Sequence, residues 1–191
     1  TDVTIASDGE VVVRGRNVFL GYFKDEQATK ETLVDGALYS GDLGQFDDDG
    51  FLWITGRKKD IIITAGGKNV APAPLEGGLK HHPLLSEVVV IGDRRKYLSA
   101  LVTLDEEATA AFVAEHGITE PPHESERIHK EVKPAVDDLN QHFARVEQIK
   151  KFTILARQLS IEGGELTPTL KVKRNKVSEH FAAEIDAMYS E

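Results

Sequence analysis

The sequence predicts an α+β fold: a small compact domain of mixed sheet with helices, preceded by a short β-rich segment. Three observations predict it. Before residue 59 the chain reads as β-hairpins separated by one short polar helix. After it, β-branched strands alternate with helical stretches. No internal repeat or low-complexity tract is present, and 191 residues suffice for one domain, or one with a smaller attached piece. The expected division is residues 1–58 and 59–191.

The elements follow in order. Residues 3–6 and 10–14 flank Asp8-Gly9, a pair suited to a tight turn with positive φ. Residues 24–33 read as a short polar helix ended by Asp35-Gly36. A second hairpin is expected where residues 43–46 and 51–55 flank Asp47-Asp-Asp-Gly50. Beyond Lys59, residues 61–64 form a β-branched strand and Ala65-Gly-Gly-Lys68 a turn, and Pro72 and Pro74 lead into a helix over 75–81. Strands at 87–91 and 99–104 are separated by the charged turn 92–96. A helix over 106–115 ends at Gly117, and residues 118–122 link it onward. From 124 to 150, Ile128, Val132, Val136, Leu139, Phe143 and Val146 recur at spacings of three and four, one buried face of a helix that Pro134 should kink or divide. A strand at 152–156 precedes a last helix from about Lys173, with Val177, Phe181, Ile185 and Met188 on one side.

Composition narrows the function classes. A net charge of -9 argues against broad nucleic-acid binding, which needs basic surface to neutralise phosphates. The cations are unevenly placed, with one island at Arg57, Lys58 and Lys59 and another at Lys171, Lys173, Arg174 and Lys176. Basic islands in an acidic chain suit a small anionic ligand; the plain alternative is solvated surface charge. With no cysteine there is no disulfide framework and no thiolate metal site or nucleophile. The seven histidines form no ligand pattern, so no metal site is expected. No run approaches a membrane span and the N-terminus lacks the form of a signal peptide, so a cytoplasmic location is the default expectation.

Two stretches hold residues suited to chemistry. In Tyr39-Ser-Gly-Asp-Leu-Gly44, glycines let backbone approach a ligand closely, and the Asp42 carboxylate can accept two hydrogen bonds from adjacent hydroxyls such as those of a ribose. The alternative is an acid in a surface turn. Arg57, just after an expected strand, offers paired planar donors to a carboxylate, hydroxyl or phosphate, or else an ion pair with an acid such as Asp60. Near the other end, Leu166-Thr-Pro-Thr-Leu-Lys-Val-Lys-Arg174 reads in isolation as a solvated basic loop before a helix.

Taken together, these motifs resemble those of the adenylate-forming enzymes, most closely the long-chain fatty acyl-CoA synthetases. The resemblance covers nearly the whole chain, which corresponds to the C-terminal portion of such an enzyme. It implies that residues 1–58 are the β-rich tail of a nucleotide-binding N-terminal domain and 59–191 a mobile C-terminal domain. Asp42 would hold the ATP ribose, with Ser40 standing where many members have threonine, and Arg57 would lie near ribose and phosphate. Lys59 matches the hinge about which the C-terminal domain turns. Gly66 and Gly67 match a glycine turn lining the pantetheine tunnel; a hairpin turn accounts for them equally. Lys171 matches the catalytic lysine, with Lys173 its nearest rival, and Leu170 replaces the glycine that precedes this lysine in much of the family.

The implied reaction has two steps: ATP and a fatty acid give an acyl-adenylate and pyrophosphate, then coenzyme A gives acyl-CoA and AMP. ATP, Mg2+ and coenzyme A would serve the full-length enzyme, with none tightly bound here. The expected partners are the N-terminal domain, ATP, fatty acid and CoA, with no nucleic acid, and with any peripheral membrane contact made through regions outside the chain. No phosphate-binding loop or acyl pocket is present, so the segment is expected to be inactive alone. Two rivals are an adenylation module that loads an amino or aryl acid onto a carrier protein, and a non-catalytic interaction domain. Intact Asp42, Arg57 and Lys171 argue against the second.

Overall fold

The computed structural model describes residues 1–190, which divide into two compact units, Thr1–Ile61 and the chain from Ile62 onward. The first unit runs β1 (Asp2–Ile5), β2 (Glu10–Arg14), α1 (Glu26–Thr32), β3 (Leu33–Val34), β4 (Ala37–Phe46) and β5 (Leu52–Arg57). Its sheet has the order β1-β2-β4-β3, with β5 also on β4. All these pairings are antiparallel, and Gly9, at φ +87°, turns β1 into β2 as expected.

Asp35-Gly36 does not end the helix. Leu33 and Val34 already pair with Leu38 and Ala37, and Asp35 and Gly36 take φ of +50° and +73°. Positive φ at both central residues makes the Asp-Gly pair a two-residue hairpin turn, so the helix stops at Thr32 because the chain enters the sheet. Gly44 lets neighbouring chain come close, since a Cβ there would lie 2.8 Å from both the Trp53 carbonyl oxygen and Val11 Cγ2.

The second unit runs β6 (Ile62–Ile63), β7 (Asn69–Val70), α2 (Pro72–Leu79), β8 (Leu85–Ile91), β9 (Leu98–Leu104), α3 (Glu106–His116), α4 (Glu126–Asn140), β10 (Ile149–Ile154), α5 (Arg174–His180) and α6 (Ala182–Tyr189). Its main sheet is mixed: β9 pairs antiparallel with β8 and parallel with β10. Every residue of β9 is buried, as a central strand covered on both faces requires. On one face Val88, Val90, Leu98, Ala100 and Val102 pack with Leu75 and Leu79 of α2 and Ile128, Val132 and Val136 of α4. On the other, Val89 and Leu101 pack with Val177, Phe181, Ile185 and Met188. Each such aliphatic side chain, fully buried, contributes roughly 1.5–3 kcal/mol, so this sheet is the framework of the unit.

Local chemistry explains the ends and the departures from expectation. Asp105 caps α3 by accepting the Ala108 N–H at 2.9 Å, and Gly117 ends it at φ +63°. Helix α2 begins three residues early, at Pro72, where a proline suits the first turn. Pro134 does not divide α4, since it sits on the exposed side of a helix assigned without a break. That helix ends at Asn140, not near 150. The Asn140 amide exchanges two 2.8 Å hydrogen bonds with the Ile149 backbone, closing a loop and leaving Val146 exposed. The following strand starts at Ile149, earlier than expected, and the last helix is broken at Phe181, where ψ of +31° interrupts the spiral between α5 and α6.

Candidate functional site

In the first unit, Asp42 and Arg57 face each other across β4 and β5, and Arg57 Nε lies 2.7 Å from Asp42 Oδ1. The partner of Arg57 is thus Asp42, not Asp60. The Asp42 side chain remains partly open to solvent. The register between β2 and β4 slips across residues 40–42, and Gly41 takes φ +72° there. Such a bulge re-aims the side chain that follows it, here Asp42.

The bulge is held from beneath. Glu10, buried at the head of β2, accepts the Gly41 N–H at 2.9 Å. The Ser40 hydroxyl donates to the Val11 carbonyl at 2.8 Å and accepts the Asp42 N–H at 3.0 Å. Lys58 closes the arrangement, 2.7 Å from Asp8 and 2.9 Å from Glu10. Those carboxylates, Asp8 first, raise the Lys58 pKa, and Lys58 in turn lowers that of Asp8. The basic island at residues 57–59 therefore splits. Two of its cations brace the sheet, while Lys59, exposed in a short 3-10 turn after β5, has no hydrogen bond or ion pair among the described residues.

In the second unit, Gly66 and Gly67 form the exposed tip between β6 and β7. Gly67 has φ +74° and donates its N–H to the Thr64 carbonyl at 2.8 Å, a hairpin turn. A Cβ on Gly66 would meet only Thr64 Oγ1, at 4.0 Å. Lys171 is exposed near the end of a tight excursion whose sides join through a Leu166–Val172 bridge. Thr167 N–H donates to the Lys171 carbonyl at 2.8 Å, and Lys171 N–H donates to the Thr167 hydroxyl at 3.0 Å. Leu170 sits at φ +58°, the left-handed conformation a glycine would adopt without strain. The side chains of Lys171 and Lys173 have no hydrogen bond or ion pair among the described residues, whereas Arg174 pairs with Glu76 at 2.6 Å and Lys176 with Glu179 at 2.7 Å.

Asp42 and Arg57 are thus brought together, while Lys171 belongs to the other unit. Among the described residues, no group of three or more His, Cys, Asp or Glu side chains could hold a metal ion. No helix there is long and apolar enough to cross a membrane. Glu10, Glu76, Arg157, Glu165 and His180 also support the motifs, although no motif in the sequence points to them. Most of their partners lie well along the chain, as with Glu10 and Gly41, 31 positions apart.

Known proteins match this chain along its length. The family model of the AMP-binding enzyme C-terminal domain matches residues 59–191. The long-chain-fatty-acid–CoA ligase FadD15 of Mycobacterium tuberculosis is 48% identical over 97% of the chain and 32% of that protein. The rat long-chain-fatty-acid–CoA ligase ACSBG1 is 38% identical over 96% of the chain and 29% of that protein. The chain therefore spans about a third of the length of these relatives. Among solved structures, O-succinylbenzoate coenzyme A synthetase from Bacillus subtilis, in complex with ATP and magnesium, is 28% identical with a TM-score of 0.63, over 91% of this chain and 33% of that one. The adenylation domain of a carboxylate reductase from Mycobacterium chelonae shares the fold at a TM-score of 0.77 and 22% identity, over 96% of this chain and 28% of that one. With its family model matched over residues 59–191, the chain belongs to the AMP-binding enzyme C-terminal domain family of adenylate-forming enzymes.

Proposed function

We propose that the chain is the C-terminal portion of an ATP-dependent long-chain fatty acid–CoA ligase, which forms an acyl-adenylate and then acyl-CoA. The observation that carries this is the match to long-chain-fatty-acid–CoA ligases over nearly the whole chain. Residues 1–58 would complete the nucleotide site of a larger N-terminal domain, and residues 59–191 would form the domain that turns about Lys59. Leu20, Phe23, Phe51, Trp53 and Ile54 are exposed in the first unit, apolar surface that the rest of such an enzyme would cover.

Each residue then has a chemical task. Asp42 accepts the ribose hydroxyls while Arg57, 2.7 Å from its Oδ1, fixes the carboxylate. The remaining guanidinium donors of Arg57 suit a phosphate oxygen. Lys171, free of protein partners, supplies an ammonium where a fatty-acid carboxylate attacks the α-phosphate, offsetting repulsion between two anions in the transition state. The acid–phosphate bond forms as pyrophosphate leaves. In the second step the CoA thiol replaces AMP at the acyl carbonyl, and the open tip at Gly66 and Gly67 leaves a path for the pantetheine arm. Magnesium would enter with the ATP phosphates, whose negative charge it neutralises.

The test uses the full-length enzyme with ATP, a C16 fatty acid and CoA. AMP, pyrophosphate and acyl-CoA should appear in equal amounts. Formation of ADP, or transfer to a carrier-protein phosphopantetheine with none to free CoA, overturns the assignment.

A further inference from the structure

The loop that carries Lys171 is tied down at both roots by charged side chains. At the first root stands Glu165, a carboxylate with no solvent exposure. Arg157 Nη2 lies 2.5 Å from its Oε1, and His180 Nδ1 lies 2.7 Å from the same oxygen. The Ser160 N–H donates to Oε2 at 3.2 Å. Arg157 is itself held, donating to the Gln158 carbonyl at 3.0 Å and lying 4.7 Å over the Phe181 ring. At the second root, Arg174 reaches Glu76 Oε2 at 2.6 Å and the Val90 carbonyl at 3.3 Å. Glu76 in turn accepts the Val90 N–H at 2.8 Å. The roots also meet directly, the Lys173 N–H donating to the Glu165 carbonyl at 2.7 Å.

Burying a carboxylate carries a desolvation cost of several kcal/mol unless it is fully paired. An exposed basic turn has no need of so complete a set of partners. The ties run to separate parts of the unit: the end of β10 and α5 from one root, α2 and β8 from the other. A lysine whose four-carbon stem is flexible can be placed reproducibly only if the backbone at its base is fixed.

We propose that Glu165 and Arg174 are positioning residues that set the reach of Lys171, each clamping one root of the 166–172 loop to the sheet-and-helix body of its unit. The proposal rests on the assignment of Lys171 given under Proposed function. Its consequence is that the loop does not move by itself; Lys171 is presented or withdrawn only as its whole unit moves.

Amide hydrogen exchange on the 191-residue chain tests the clamp without any assay of activity. In Glu165→Gln and in Arg174→Gln, exchange across 166–173 should rise about tenfold or more while β8 and β9 exchange as before, the mark of local opening. Loop exchange that stays unchanged overturns the proposal, and so does a rise of the same size in β9, which would show a network that only holds the unit together. If Glu165→Gln fails to fold, Arg157→Gln removes the same tie from a half-exposed side chain and is judged identically.

A second readout uses the full-length enzyme. There each variant should lower kcat for acyl-adenylate formation about tenfold to 100-fold, the scale of a misplaced catalytic group, with KM for ATP and the thioester step unchanged. Equal slowing of both half-reactions contradicts a positioning role. Lys171→Ala is the reference: if it leaves adenylation intact, the assignment of Lys171 fails, and hydrogen exchange alone decides whether the clamp stands.

Discussion

Arg57 Nε and Asp42 Oδ1 lie 2.7 Å apart at paired positions of adjacent strands, so the acid and the base meet across β4 and β5. The sheet register holds both side chains in place before any ligand arrives. Such preorganisation lowers the ordering cost of binding.

The pair should act as a unit on the nucleotide. In the full-length enzyme, Asp42→Ala should raise KM for ATP by about tenfold or more, because a site built to pair with hydroxyls loses their partner. Arg57→Ala should have a comparable effect. The double variant should fall well short of the product of the two, since residues in direct contact are not additive. Steady-state ATP kinetics on the three variants decide it, and independent, multiplying effects would contradict a shared role.

Glu10 should matter to the fold of the first unit as much as to its site. Glu10→Ala leaves the Gly41 N–H without its partner and Lys58 with Asp8 alone. A loss of about 1–3 kcal/mol is expected, the cost of a buried polar group left unpaired. Trp53, the single tryptophan, lies in this unit and bonds Asp47 at 2.7 Å, so its fluorescence in a urea titration reports the change. A midpoint unchanged from wild type would show that the buried carboxylate is dispensable.

Acid should loosen the second unit through Glu165. The Arg157 guanidinium, with help from His180 and the Ser160 N–H, holds its pKa down to about 2, below the usual carboxyl value of 4.5. A carboxyl lowered on folding adds stability above its unfolded pKa, and this is lost as pH falls through the folded one. Stability from this source should therefore be complete above about pH 4.5 and drain away toward pH 2. Denaturation midpoints of wild type and Glu165→Gln should differ most above that window and converge within it. A constant gap would assign the effect to shape and not to charge.

Glycines in the two units should respond oppositely to added bulk. Gly44→Ala forces a Cβ to within 2.8 Å of the Trp53 carbonyl oxygen and should cost about 1–3 kcal/mol, typical of overpacking. Gly66 faces open space, so Gly66→Leu should leave the unfolding midpoint within about 0.5 kcal/mol of wild type, as surface changes do. In the full-length enzyme Gly66→Leu should slow the thioester step and spare adenylation. Equal rates in both half-reactions would remove Gly66 from the CoA path.

The parts legible in sequence were those whose physics is local. The Asp8-Gly9 turn, the helix end at Gly117 and the strands β8 and β9 each depend on a few adjacent residues, and the structure has them. Helix ends set from a distance were not legible. The periodicity through Leu139, Phe143 and Val146 continues past Asn140, yet the Asn140 side chain turns the chain toward Ile149. Phe181 keeps the apolar spacing of one long helix while its backbone breaks that helix in two. The same limit applies at the candidate site. Contiguous motifs disclose Asp42, Arg57 and Lys171, whereas Glu10 and Glu165 acquire their partners only when distant strands and helices assemble.

The most direct test of the central claim is Lys171→Ala in the full-length enzyme, with the two half-reactions assayed separately. Acyl-adenylate formation should fall by ~100-fold or more, the scale of losing one charge-stabilising group. Supplied with preformed acyl-adenylate and CoA, the same variant should make thioester at a near-normal rate. Equal slowing of both half-reactions, or unimpaired adenylation with the loss appearing instead in Lys173→Ala, would contradict the account.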